Sequence, residues 1–199
     1  MKEIVLGTIS FILYMVYDLE QAGAISYRFR KITKSFFMAG SLMMVAATVM
    51  LLWRTGILQM DFGMKQIFFL MFAILFLGLL IYTLFFALPF EETYVVQDAH
   101  KTYDKKMYAL CRHPGVLWFA GFYFCLWLAF GTKPLLVMAI WFSFLNFCYI
   151  ILQDCYTFPK IFSDYRDYQK RVPFLIPNGK SLKRCLDTFK ESRGLDYEI

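Results

Sequence analysis

From Gln66 to Pro89 the chain reads QIFFLMFAILFLGLLIYTLFFALP, without one charged side chain. A spanning α-helix needs about 20 mostly apolar residues, so this run is long enough to cross a hydrocarbon layer. Four further apolar segments accompany it, at about Ile4 to Tyr17, Phe36 to Trp53, Gly115 to Phe130 and Pro134 to Leu152, of which the first and the Gly115 segment are short. With 59% hydrophobic and only 18% charged residues, the composition is too apolar for a soluble domain of 199 residues. The expected fold class is therefore all-α. It is a polytopic membrane protein with about five transmembrane helices and a cytoplasmic C-terminal amphipathic helical segment. One membrane domain spans residues 1–199: three N-terminal helices in 1–90, a loop, a helical hairpin and a C-terminal cap in 91–177, and a tail in 178–199.

Most of the 21 Lys and Arg residues fall in the first and third loops and in the tail, and few lie in the second and fourth loops. The positive-inside rule then predicts an external N-terminus and a cytoplasmic tail. A short apolar run after Lys2, ending near Ala22-Gly23-Ala24, also resembles a cleavable signal peptide. Cleavage would put the basic tail outside, so the first helix is expected to be retained. The net charge of +6 is accordingly a membrane-surface signal and not a nucleic-acid one. Five cysteines without C-x-x-C spacing and two histidines support neither a disulfide framework nor a zinc site.

Only Gly131-Thr132-Lys133-Pro134 separates the last two apolar segments, which predicts a tight antiparallel hairpin. Such a hairpin brings Arg112 and His113 close to Gln153 and Asp154. Beyond it, Phe158, Ile161, Phe162, Tyr165 and Tyr168 form an aromatic stripe beside charged positions. A helix there is expected to lie in the membrane interface, with its tyrosines at headgroup level, and to end at Val172-Pro173 and Ile176-Pro177. Pro159 is expected to interrupt it.

The triplet Arg112-His113-Pro114 stands directly against an apolar run. A plain helix start accounts for each member: proline suits the first turn, arginine suits a cytoplasmic edge, and histidine is a polar filler. Ionisable groups gathered at membrane depth point instead to a site. Two motifs add weight to the second reading. Tyr108-x-x-x-Arg112-His113-Pro114 enters the penultimate apolar segment, and Phe162-x-x-Tyr165-x-x-Tyr168-x-x-x-Val172-Pro173-x-x-x-Pro177 follows the last one. Over about Tyr103 to Pro177 the chain resembles the isoprenylcysteine carboxyl methyltransferase and phospholipid methyltransferase superfamily. The first three helices agree only in number and hydrophobicity.

That resemblance implies S-adenosylmethionine bound on the cytoplasmic side and a lipophilic or lipidated acceptor entering from the bilayer. It implies cofactor contacts from Tyr108, Leu110, His113, Pro114, Asp154, Tyr165 and Tyr168, and catalytic roles for Arg112 and Asp154. Tyrosine faces attract a sulfonium cation; His113 and backbone amides suit the cofactor carboxylate, Asp154 its amine, and Arg112 a carboxylate acceptor. No metal is implied. The chain departs from the family where Gln153-Asp154-Cys155 stands in place of the expected glutamate, Ser163 in place of a glycine, and one residue is missing before Tyr165. These departures favour a rival, a non-catalytic membrane protein that keeps the fold; a small membrane reductase is a third reading. His100, Glu91 and Glu92 read as a solvated loop, and Asn146 as a polar amide in need of a partner.

Overall fold

The computed structural model describes residues 1–25, 30–33, 35–56, 62–86 and 101–195, and among these the chain is helical with no strand. The elements are α1 (Lys2–Gln21), α2 (Arg30–Thr33), α3 (Phe36–Arg54) and α4 (Met64–Ile81), which runs on through a π-helical turn, Tyr82–Phe86. Next come α5 (Met107–Leu110), α6 (Pro114–Phe130) and α7 (Lys133–Leu152). α7 continues through a second π-helical turn, Gln153–Thr157, into α8 (Phe158–Ile161); α9 (Tyr165–Arg171) and α10 (Gly179–Leu195) follow. Among the described residues three helical stretches are long and apolar enough to cross a membrane: Phe36–Arg54, Met64–Phe85 and Lys133–Ile161. α6 is a shorter apolar helix.

Five apolar helices form a row in the order α3, α1, α7, α6, α4, each packed mainly on its neighbours in that row. Gly131 makes the α6–α7 hairpin: it sits in the left-handed region at φ 66°, and its N–H caps α6 by donating to Trp127 O at 2.7 Å. Pro134 in the first turn of α7 lacks only a donor that would have had no partner. The core between α1, α6 and α7 is aromatic, with Phe11, Tyr123 and Phe142 at 3%, 2% and 0% exposure. Gly7 allows the closest approach, since a β-carbon there would fall into the Phe142 ring. The outward faces of α3, α4 and α7 expose Met38, Leu42, Phe68, Met71, Ile140 and Phe144, a surface that water would penalise.

Two expectations for the tail need correction. Pro159 does not interrupt the helix; α7 and α8 run on as one. The π turn widens the backbone so that the Phe158 N–H bonds back to Gln153 O, which accommodates a residue with no donor. The break comes later, at Phe162, where the backbone is extended (φ −106°, ψ 122°). Tyr165 and Tyr168 also do not face headgroups: both are 2% exposed, their rings turned into the protein. Each phenol has a buried acceptor, which outweighs the preference for an interface. α9 does end at Arg171, with Val172 extended ahead of Pro173. The loop acids Glu91 and Glu92, with His100, lie outside the described residues.

Candidate functional site

α6 starts where α7 ends, so the hairpin sets Arg112 and His113 against the π turn that carries Asp154. Asp154 is 5% exposed, and its carboxylate is the hub. Oδ1 accepts from the Tyr165 hydroxyl at 2.7 Å and from His113 Nε2 at 3.1 Å. Arg112 Nε also lies 3.1 Å from Oδ1, but without hydrogen-bond alignment, so this contact is Coulombic and the buried Nε–H lacks a hydrogen-bond acceptor. Gln169 Nε2 donates to Oδ2 at 3.1 Å and to the Asp154 carbonyl at 3.0 Å. With the side chains of Arg112 and Asp154 only 12% and 8% exposed, this is a buried ion pair whose lone pairs are taken up by protein donors.

The tail is fastened to the same place. The Arg112 N–H donates to Pro173 O at 2.9 Å, its guanidinium Nη1 to Gln169 O at 3.2 Å, and the Tyr168 hydroxyl to Tyr108 O at 2.8 Å. Thr102 donates its N–H and hydroxyl to Asp164 Oδ1 at 2.7 and 2.8 Å, tying the segment before α5 to the start of α9. His113 stacks on Phe158 (5.8 Å, 12°) and meets Phe174 edge-on, and Arg112 lies 5.4 Å over the Phe174 ring. Arg171 stands apart, half exposed and paired with Asp104 at 2.9 Å.

Below this cluster lies a cavity of about 640 Å³, within the range of small-molecule sites. Its walls are apolar residues of α1, α3, α4, α6 and α7, and Arg112, His113, Tyr108 and Gln153 stand at its polar end. Val45 and Val49 of α3 and Leu77 and Ile81 of α4 line it and are still 61%, 56%, 37% and 43% exposed, so the cavity opens sideways between α3 and α4. Among the residues expected at a site, Tyr108, Arg112, His113 and Pro114 line the cavity. Asp154 and Tyr165 stand behind them, Tyr168 beside Tyr108, and Leu110 packs away from the cavity on Cys185 and Trp118.

Burial holds the His113 imidazole below its ordinary value, and the Arg112 charge adds to this, against the pull of Asp154 in the other direction. The neutral ring then donates its Nε2–H to the carboxylate. Burial, followed by the Asp154 charge, pushes the Tyr165 phenol up and keeps it a donor. The folded state thus takes up the His113 proton less readily than the unfolded chain, whose imidazole titrates near 6.5. The resulting stability is present above that pH and is lost as pH falls through the lower folded value. Thermal unfolding of the detergent-purified protein from about pH 7.5 to 5 should therefore show falling stability. His113→Gln should flatten that slope; an unchanged slope would assign it to other groups.

The sequence reading missed Gln169 and Phe174. Gln169 was legible as the i+4 partner of Tyr165, placing Tyr165, Tyr168 and Gln169 on one helical face. Asp18 also emerges, 6% exposed and accepting from Gln153 Nε2 at 2.7 Å. Asn146 lines the cavity. Among the described residues no group of three His, Cys, Asp or Glu is placed to hold a metal ion. No protein-family model, curated protein or solved structure matches this chain.

Proposed function

We propose that this chain is an integral membrane methyltransferase of the isoprenylcysteine carboxyl methyltransferase type. It would move a methyl group from S-adenosylmethionine to a lipophilic acceptor at the cytoplasmic face. The observation that carries the reading is an apolar cavity, open sideways, that ends on a buried Arg112-His113 pair. In this proposal α1, α3, α4, α6 and α7 all span the bilayer. Their alternating directions support it: Glu3 at the start of α1 pairs with Arg54 at the end of α3 (3.2 Å), and Thr83 after α4 accepts from Tyr108 ahead of α6 (3.1 Å). The excess of Lys and Arg on the Arg112 side supports a cytoplasmic assignment of that side.

The residues present fit the cofactor in part. Arg112 and His113 stand together at the polar end of the cavity, and Phe158, stacked on His113, lines it beside them, a set suited to an anionic group near a sulfonium. Asp154 suits the cofactor amine less well, because Tyr165, His113 and Gln169 already occupy its oxygens. It acts better as a positioning residue that holds Arg112 and His113 from behind. When bound, S-adenosylmethionine supplies a methyl carbon activated by its sulfonium. A carboxylate acceptor needs no general base, so the work of this chain is to align the acceptor through Arg112 and to exclude water.

The test is equilibrium binding of S-adenosylmethionine and S-adenosylhomocysteine to the detergent-purified protein, with NADPH as comparison. Saturable binding that weakens about tenfold or more in His113→Ala is expected, the usual size for losing a hydrogen bond to a charged group. Absence of binding at millimolar levels would leave a lipid-binding protein without this chemistry; preference for NADPH would make it a reductase.

A further inference from the structure

α10 has an apolar arc wider than the protein covers. Ser181 and Cys185 are buried, and Cys185 and Phe189 pack on Ala109, Leu110 and Trp118. Around the helix from Phe189, at the helical spacing of 100° per residue, come Leu182 and then Leu186, which are 50% and 53% exposed. Lys190 and Lys183 follow directly on that side, and Lys180 and Arg184 lie further round, with Asp187 the one acid among residues 179–190. Trp118 lies only one turn inside α6, so a helix resting on it sits level with the beginning of that apolar helix. Its uncovered leucines therefore sit where a bilayer surface would lie.

We infer that α10 is an interfacial helix that docks on anionic lipid, with Leu182 and Leu186 entering the acyl boundary and Lys183 and Lys190 reaching the phosphates. The pattern of apolar residues flanked by cations is the one that binds such surfaces. Charge complementarity selects anionic over neutral lipid, because each lysine near such a surface adds attraction that a neutral headgroup does not return. A partner protein would need acidic groups opposite the same lysines, and it becomes an outcome of the test. The inference rests on the membrane reading but not on methyl transfer.

The experiment uses the full chain in lipid nanodiscs of phosphatidylcholine alone or mixed with phosphatidylglycerol. A bimane fluorophore is attached at Leu186→Cys in a Cys155→Ser background, which removes the exposed native thiol. Docking predicts quenching by nitroxide-labelled lipid, and quenching by the neutral quencher acrylamide roughly threefold weaker in the anionic discs than in the neutral ones. Lys183→Glu with Lys190→Glu should restore acrylamide access without changing the melting temperature, since both side chains are on the outside. Equal acrylamide access in both lipids, matching a label at the exposed Arg166→Cys, would overturn the inference. Shielding of the label without any quenching by nitroxide-labelled lipid would also overturn it, pointing to protein contact instead.

Discussion

Asp154→Asn is expected to lower the unfolding free energy by about 3 kcal/mol, the scale for removing one partner of a buried ion pair. The amide keeps the shape of the side chain but loses its charge and brings two donors where one oxygen had only accepted. Arg112 then remains buried without a counter-charge, and Tyr165, His113 and Gln169 compete for the single amide oxygen. Exposures of 12% and 8% for the Arg112 and Asp154 side chains leave little solvent to screen the loss. Thermal and chemical unfolding in detergent measure the effect. A loss below about 1 kcal/mol, as for surface pairs, would mean that water reaches the cluster and that Asp154 does not organise it. Binding of a ligand at the cavity end should fall with it, because Arg112 and His113 lose the group that fixes them.

Gly7→Ala comes second, at about 2 kcal/mol, within the range for overpacking a filled core. The added methyl would overlap the Phe142 ring, which is 0% exposed and hemmed in by Phe11 at 6.3 Å and Tyr123 at 5.5 Å. The ring has no space to yield. Gly78→Ala, within α4, is the control: a β-carbon there would meet nothing within 4 Å. The helix-propensity gain of alanine, at most about 1 kcal/mol, has no clash to offset, so the variant should be no less stable than the parent. Equal melting temperatures for the two variants would place α1 farther from α7 than described.

How much was legible depended on the kind of information each feature needs. The helical segments were readable because uninterrupted apolar runs leave few other structures. The meeting of Arg112 and His113 with Asp154 followed from the brevity of the Gly131 to Pro134 connection, a constraint of chain length alone. The burial of Tyr165 and Tyr168 was not readable: an aromatic stripe looks the same whether it faces headgroups or a hidden carboxylate. The π turn at Gln153–Thr157 escaped notice because proline reports only a missing donor and not how the backbone adjusts. The cavity left no mark in composition, since a void arises from how helices diverge. The roles implied by the family resemblance for the individual site residues remain those of the proposal.

The sideways gap between α3 and α4 has a consequence for selectivity. If hydrocarbon lies against those helices, as proposed, a lipid tail passing Val49 and Ile81 goes from one oil-like medium into another. No water is released from it, so the hydrophobic effect, which rewards longer tails wherever binding starts from water, contributes almost nothing. Discrimination between tails then rests on how well each fills the cavity, and discrimination between headgroups on Arg112 and His113. A protein of this build would rank its ligands by shape at one end and by charge at the other, and scarcely at all by oiliness.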